Sequence, residues 1–163
     1  EATKEKAEKG DAEAEFQLAN KYYNGEGIEQ DYKEAVKWLQ KAAEQGDAKA
    51  QSNLGVMYYK GQGVEQDFKE AVKWFRKAAN QGHAQSQMDL GWAYHERLGG
   101  VIRDPVTAYA WTAIALKNSP QDERIMKSEK LLKLYLDEEY ALKADVLIKE
   151  MIKKNPKLLK KKE

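Results

Sequence analysis

Few residues in this chain could carry covalent or metal chemistry. It has two histidines, His83 and His95, and no cysteine, which removes thiolate nucleophiles and any disulfide framework. A helix that holds a metal needs its ligands about four residues apart, on one face. His83 and His95 lie at the two ends of one expected helix, too far apart to share a face in that way. The pairs Gly25-x-Gly27 and Gly61-x-Gly63 suggest a phosphate cradle at first sight. They leave a helix rather than a strand, and they lack the third glycine and the lysine of phosphate loops. No nucleophile elbow or paired histidine–carboxylate motif is present, and nearly all carboxylates fall at capping or solvent-facing positions. The chain therefore reads as no enzyme, with no catalytic, cofactor-binding or metal-binding residue expected.

Charge narrows the partners. Lys and Arg number 28 against 27 Asp and Glu, so there is no global footprint for nucleic acid. No apolar run approaches the roughly 20 residues of a membrane span. A small basic excess gathers after Pro156, at Lys157, Lys160, Lys161 and Lys162, and is expected to be a solvated, frayed tail. The start at Glu1 fits a removed export signal and a shortened chain equally. A bacterial periplasmic or secreted location is favoured over a cytoplasmic one.

What must position any functional residue is a repeat 36 residues long. Asp11-Ala12 returns as Asp47-Ala48 and as His83-Ala84. Leu18 returns as Leu54 and Leu90, and Tyr22 as Tyr58 and Tyr94. Trp38 returns as Trp74 and, one residue late, as Trp111. Each repeat reads as helix A, a glycine loop, helix B and a tight turn, whose apolar face only its neighbours can bury. Asp11 and Asp47 precede helix A as N-caps, and His83 caps less well. Gly25, Gly27, Gly61 and Gly63 suggest positive φ, with Ile28 and Val64 tucked beneath the loop. Asp31 with Glu34, and Asp67 with Glu70, suggest capping boxes. Pro105 suits the first position of the third helix B. Ala35, Trp38 and Ala42, with their counterparts, form the inner face of helix B, and Gly46 and Gly82 end it. Glu5 to Gly10 aligns with the end of a helix B. Beyond the third repeat, Ser119 and Pro120 can open a helix to about Leu136, with Ile125, Leu132 and Tyr135 facing inward. Asp137 caps a last helix to about Lys153, apolar at Tyr140, Ala144, Leu147, Ile148 and Met151, and Asn155-Pro156 stops it. That makes about eight helices and no strands.

The run Ala50-x3-Leu54-Gly55-x2-Tyr58-x2-Gly61-x-Gly63-Val64-x2-Asp67-x3-Ala71-x2-Trp74-x3-Ala78-Ala79-x2-Gly82 resembles the Sel-1-like repeat, a relative of tetratricopeptide repeats. The resemblance covers about residues 11–118. It implies an all-α fold, a right-handed αα-superhelix (solenoid) of three repeats with a C-terminal helical cap. As one solenoid domain over 1–163, the chain divides into the end of a partial repeat (1–10), repeats at 11–46, 47–82 and 83–118, capping helices (119–155) and a basic tail (156–163). The third repeat departs from the pattern: Arg97-Leu98-Gly99-Gly100-Val101 has one extra residue, and Leu116-Lys117-Asn118 replaces the usual ending.

Comparing the repeats separates scaffold from variable surface. On helix A the face opposite the core stripe carries Phe16, Asn20, Tyr23 and Asn24 in the first repeat. The second has Ser52, Val56, Tyr59 and Lys60, and the third Met88, Trp92, His95 and Glu96. The resemblance implies that this face lines a concave groove. Aromatic residues and Met are over-used at interfaces, so the expected partner is a protein or peptide held in that groove by an adaptor or scaffold. Trp92→Ala should then weaken binding and leave stability nearly unchanged. The competing reading packs Phe16, Met88 and Trp92 between A helices or under the caps. Two other roles fit the same surface: a neutralising, immunity-type binder of a secreted toxin, and a small-ligand or glycan receptor that stacks its ligand on Trp92, Tyr59 and Phe16. Self-association is open as well, since a second copy could fill the groove or stack on the N-terminal end.

Overall fold

The computed structural model describes residues 1–160. Among these it contains nine α-helices, two short 3-10 turns and no strand. The chain forms two compact units, Glu1–Trp74 and a second that starts at Phe75.

The N-terminal unit holds α1 (Ala2–Glu8), α2 (Ala12–Asn24), α3 (Tyr32–Glu44) and α4 (Ala48–Lys60). Helix α5 (Phe68–Ala79) begins in it and ends in the next. Helix α2 is helix A of the first repeat and α3 its helix B. Asp11 and Asp47 cap α2 and α4 as expected, accepting from the Ala14 and Ala50 amides at 2.8 and 2.7 Å. The capping boxes do not close. Asp31 accepts from the Lys33 and Glu34 amides, but its own N–H already donates to the Tyr22 carbonyl at 2.9 Å. Asp67 likewise donates to Tyr58 at 3.0 Å. With that donor taken, Glu34 and Glu70 turn outward to Lys37 and Lys73. The same Tyr–Asp backbone bond fixes the return of the chain from helix A to helix B in both repeats.

The loops confirm their glycines. Gly25 and Gly61 end α2 and α4 in the left-handed conformation, with φ of 72° and 66°. At Gly63 a Cβ would run into the Tyr32 backbone, so that loop lies against the start of α3. Val64 is half-buried, but Ile28 is exposed rather than tucked under its loop. The core of this unit joins small and large: Ala35, Ala42 and Ala50 are fully buried, and Trp38, Leu39, Leu54 and Trp74 fill the space the alanines leave.

The C-terminal unit holds α6 (Ala84–Glu96), α7 (Pro105–Asn118), α8 (Glu123–Lys133) and α9 (Glu138–Lys154). His83 does cap α6, at a longer 3.3 Å from the Ser86 amide. Pro105 opens α7 behind its cap Asp104. In the third repeat Arg97 takes the left-handed position, φ 62°, that Gly25 and Gly61 hold in the earlier repeats. Helices α6 and α7 approach closely at Gly91, where a Cβ would meet the Ala108 carbonyl and the Thr112 hydroxyl. Helix α8 starts three residues later than expected, because Asp122 rather than Ser119 accepts from the Arg124 and Ile125 amides. Ile125 and Leu132 are buried as expected, whereas Tyr135 and Tyr140 stay about half exposed. The tail corrects its expectation too. Leu158 is 2% exposed. Its carbonyl accepts from Gln87 and Asn118, and the Lys160 amide donates to Asn118 at 2.8 Å. Docking of these backbone groups, not solvation, decides the path through Lys160; Lys161 and Lys162 lie outside the described residues.

Candidate functional site

The expected binding face is built differently in the two units. In the N-terminal unit, α2 and α4 present it side by side. Asn20 and Asn53 meet across the two helices, Asn53 Nδ2 donating to Asn20 Oδ1 at 3.4 Å. With Tyr23, Leu39, Val56 and Met57 they line an open cleft of about 150 Å³. A cavity of about that volume accommodates a benzene-sized group. Leu39 comes from α3 behind, so the floor is apolar and the two amides stand together on the same cleft. An amide carries two donors and an acceptor with two lone pairs. One long mutual bond leaves this pair ample capacity for a peptide backbone. Tyr23 is half-buried against the core and its ring tilts on Tyr32 at 5.3 Å. Tyr59 is 41% exposed and meets Phe68 edge-on. Phe16 packs partly into the core. Asn24 bonds Glu26, and Lys60 is exposed. Ser52 is a correction: at 3% exposure its short side chain is sunk below the surface and is not open to a ligand.

Asn53 was absent from the expected face although it stands one residue beyond Ser52 on the same helix. A second omission is a repeated glutamine. Gln30 and Gln66 each reach back to close the loop, donating to the Tyr23 and Tyr59 carbonyls at 2.8 and 2.9 Å. They hold the two tyrosines of the face in place. Their recurrence one repeat apart was the available signal.

In the C-terminal unit the corresponding face is covered. Met88 is buried with Ala84, Ala115 and Ile125, and Ser128 of α8 donates to its sulfur. Trp92 packs on the same cluster, and its indole N–H donates to Ser128 Oγ at 3.1 Å. The His95 ring sits 5.3 Å from Trp92 and 4.6 Å from Tyr135. Met88 is thus closed to a ligand and Trp92 is tied into the packing, because α8 and the residues after it occupy the space in front of them. Glu96 alone of this group is exposed. Asp89 stands where Asn53 stands one repeat earlier. Desolvation pushes its carboxyl up to about 6, against the Gln85 hydrogen bond and the Arg124 charge that pull it down. On the other side of α7, Tyr109 donates to Glu129 at 2.8 Å, and burial together with that carboxylate pushes the phenol up.

Among the described residues no group of three or more His, Cys, Asp and Glu could hold a metal, and no helix is long and apolar enough to cross a membrane.

The Sel1 repeat model matches at residues 12–47, 48–83 and 84–119. Among solved structures, the chain is similar to a Sel1 repeat protein from Oxalobacter formigenes. The identity is 37% and the TM-score 0.69, over 76% of this chain and 49% of that one. It is also similar to a protective antigen of uropathogenic Escherichia coli that displays the SLR fold, with 28% identity and TM-score 0.72, over 96% of this chain and 41% of that one. The chain thus spans less than half the length of either relative. No curated protein matches it. Three consecutive repeats over well over half its length make this chain a member of the Sel1 repeat family, non-catalytic helical scaffolds that generally mediate protein–protein interaction.

Proposed function

We propose that the chain is a protein-interaction adaptor that holds a segment of its partner on the A-helix face of the N-terminal unit. The observation that carries this is the cleft between Asn20, Tyr23, Asn53 and Val56. Its paired amides suit the N–H and C=O of an extended or helical-end backbone. Its apolar floor takes one side chain, and the exposed rings of Tyr59 and Phe68 add aromatic contact area, with the Tyr59 hydroxyl as a polar tip. Tyr and Asn at a rigid surface bind at low entropic cost, since Gln30 and Gln66 tie down the backbone of the two tyrosines and the core already holds the Tyr23 ring. Scaffold membership supports a protein partner over a small ligand, and the openness of the cleft supports a segment over an enclosed molecule.

A photo-crosslinking residue placed at Val56 tests this, with one at the exposed Gln40 on α3 as control. A partner joined from position 56 and not from position 40, and lost on Asn20→Ala with Tyr23→Ala, is the expected result. Equal crosslinking from both positions would place the interaction elsewhere.

A further inference from the structure

Helix α9 stops at Lys154, and residues 155–160 lie back on the turn between α5 and α6, where a Cβ at Gly82 would strike the Lys157 carbonyl. Much of this segment faces water: Pro156, Lys157 and Lys160 are exposed, and Leu158 is its one buried side chain. Its bonds to the helices run largely through its backbone. The Leu158 carbonyl accepts from Gln87 Nε2 at 2.8 Å and from Asn118 Nδ2 at 2.7 Å, which fills both of its lone pairs. The Lys160 amide donates to Asn118 Oδ1 at 2.8 Å. Asn155 adds a side-chain bond, Nδ2 donating to the Asn80 carbonyl at 2.9 Å.

The receiving pair is held in place beforehand. Gln87 Nε2 also donates to the Ala79 carbonyl at 3.1 Å, and Gln87 Oε1 accepts from Asn118 at 2.9 Å, so little order is lost on binding. The bond to Ala79 belongs to the repeat, since Gln51 makes its match to Ala43. Asn118 does not, because it lies in the ending Leu116-Lys117-Asn118 that departs from the pattern. Main-chain bonds for affinity and a side-chain pocket for specificity are how a protein surface receives an extended peptide. We propose that Gln87, Asn118 and the pocket of Leu158 form a peptide-receiving site, which residues 155–160 fill as a displaceable self-ligand. The site shares no residue with the A-helix cleft and stands whether or not that cleft binds. The occupant that displaces the self-ligand is an extended segment of a partner protein with a leucine in the same place. Its flanking residues are free to vary, since Lys157 and Lys160 face water. Tethering supplies the self-ligand at an effective concentration on the order of millimolar, so the resting site is closed and opens by local release.

Fluorescence anisotropy of a labelled peptide of residues 152–160, titrated with the full chain, tests this. Leu158→Asp in the chain expels its own segment, and that variant should bind the peptide at least about tenfold more tightly than the wild type. Adding Asn118→Ala to it should weaken binding about tenfold, as bonds to the peptide carbonyl and amide are both lost. In the peptide, Leu158→Ser should weaken binding by more than about tenfold, whereas Lys157→Ser with Lys160→Ser should change it by less than about threefold. Lys160→Pro in the chain is milder. It removes only the amide given to Asn118 and should raise peptide affinity about threefold over the wild type. Circular dichroism checks that the helices persist, and if Leu158→Asp costs them the Lys160→Pro comparison decides. A chain that binds the peptide no better with its own segment loosened overturns the proposal. So does binding indifferent to Asn118→Ala or to the leucine of the peptide.

Discussion

Helices α4 and α6 hold the same repeat position, yet their outward residues end in different surroundings. On α4, Asn53 and Val56 face an open cleft with Asn20 of α2. On α6, Asp89 is largely withdrawn from water, and Trp92 hydrogen-bonds Ser128 of α8. Helix α8 is outside the repeat and finishes the stack, and it does so with the residues that would otherwise have been surface. An outward position in a repeat protein is therefore a binding position only where no capping element claims it. The large aromatic that looks most like a hot spot can be the one the cap needs.

This contrast can be broken by substitution. Trp92→Ala should lower the stability of the chain by about 3 kcal/mol, as a ring packed on the cluster of Ala84, Met88, Ala115 and Ile125 is lost together with its bond to Ser128. Val56→Ala should cost under about 1 kcal/mol, since its side chain is only half-buried. Chemical denaturation of both variants gives the comparison, and equal losses would erase the distinction between the faces. The second lever is pH. Asp89 is raised to about 6 in the folded chain against about 3.9 unfolded. Between those values the native state holds a proton that the unfolded state has released, so stability rises as pH falls through the window and is lowest above pH 6. Asp89→Asn should raise stability at pH 7 by up to about 3 kcal/mol and flatten the slope between pH 4 and 6. Urea melts across that range read both effects.

Two smaller changes sharpen the comparison within the scaffold. Ala19 in α2 is buried without difficulty, whereas a methyl group at the matching Gly91 would strike the α7 backbone. Gly91→Ala should destabilise by about 2 kcal/mol, visible as a lowered melting temperature. Arg97 holds a left-handed conformation that glycine holds at positions 25 and 61. Arg97→Gly should stabilise by up to about 1 kcal/mol, and a loss instead would show that the arginine side chain makes up for its backbone.

The helices, the Asp caps, the glycine loops and the buried Trp positions were legible because each depends on residues within one repeat, and each recurs. The failures share the opposite property. Glu34 could not complete a capping box because the Asp31 N–H is committed to Tyr22, a bond between two helices. The fate of Met88, Trp92 and Leu158 depends on where α8 and the tail lie, and neither belongs to the repeat. Asn53 was readable but overlooked, since its neighbours in the other repeats are Gln17 and Asp89 and no shared chemistry marks the position. The sign of its importance is the distance to Asn20, which no single helix displays.

The buried glutamines set a boundary of another kind. Gln51 donates to the Ala43 carbonyl and Gln87 to the Ala79 carbonyl, each at 3.1 Å. In both cases the last turn of a helix B is finished by a side chain from the helix A that follows. The family's frame, which ends at residue 47 or 83, separates the two partners. For excision, grafting or swapping of modules, the natural seam is therefore offset from the written repeat. A segment cut at the turn loses the glutamine donor to its last helix B carbonyl, and one cut in the glycine loop, after α4 or α6, keeps it.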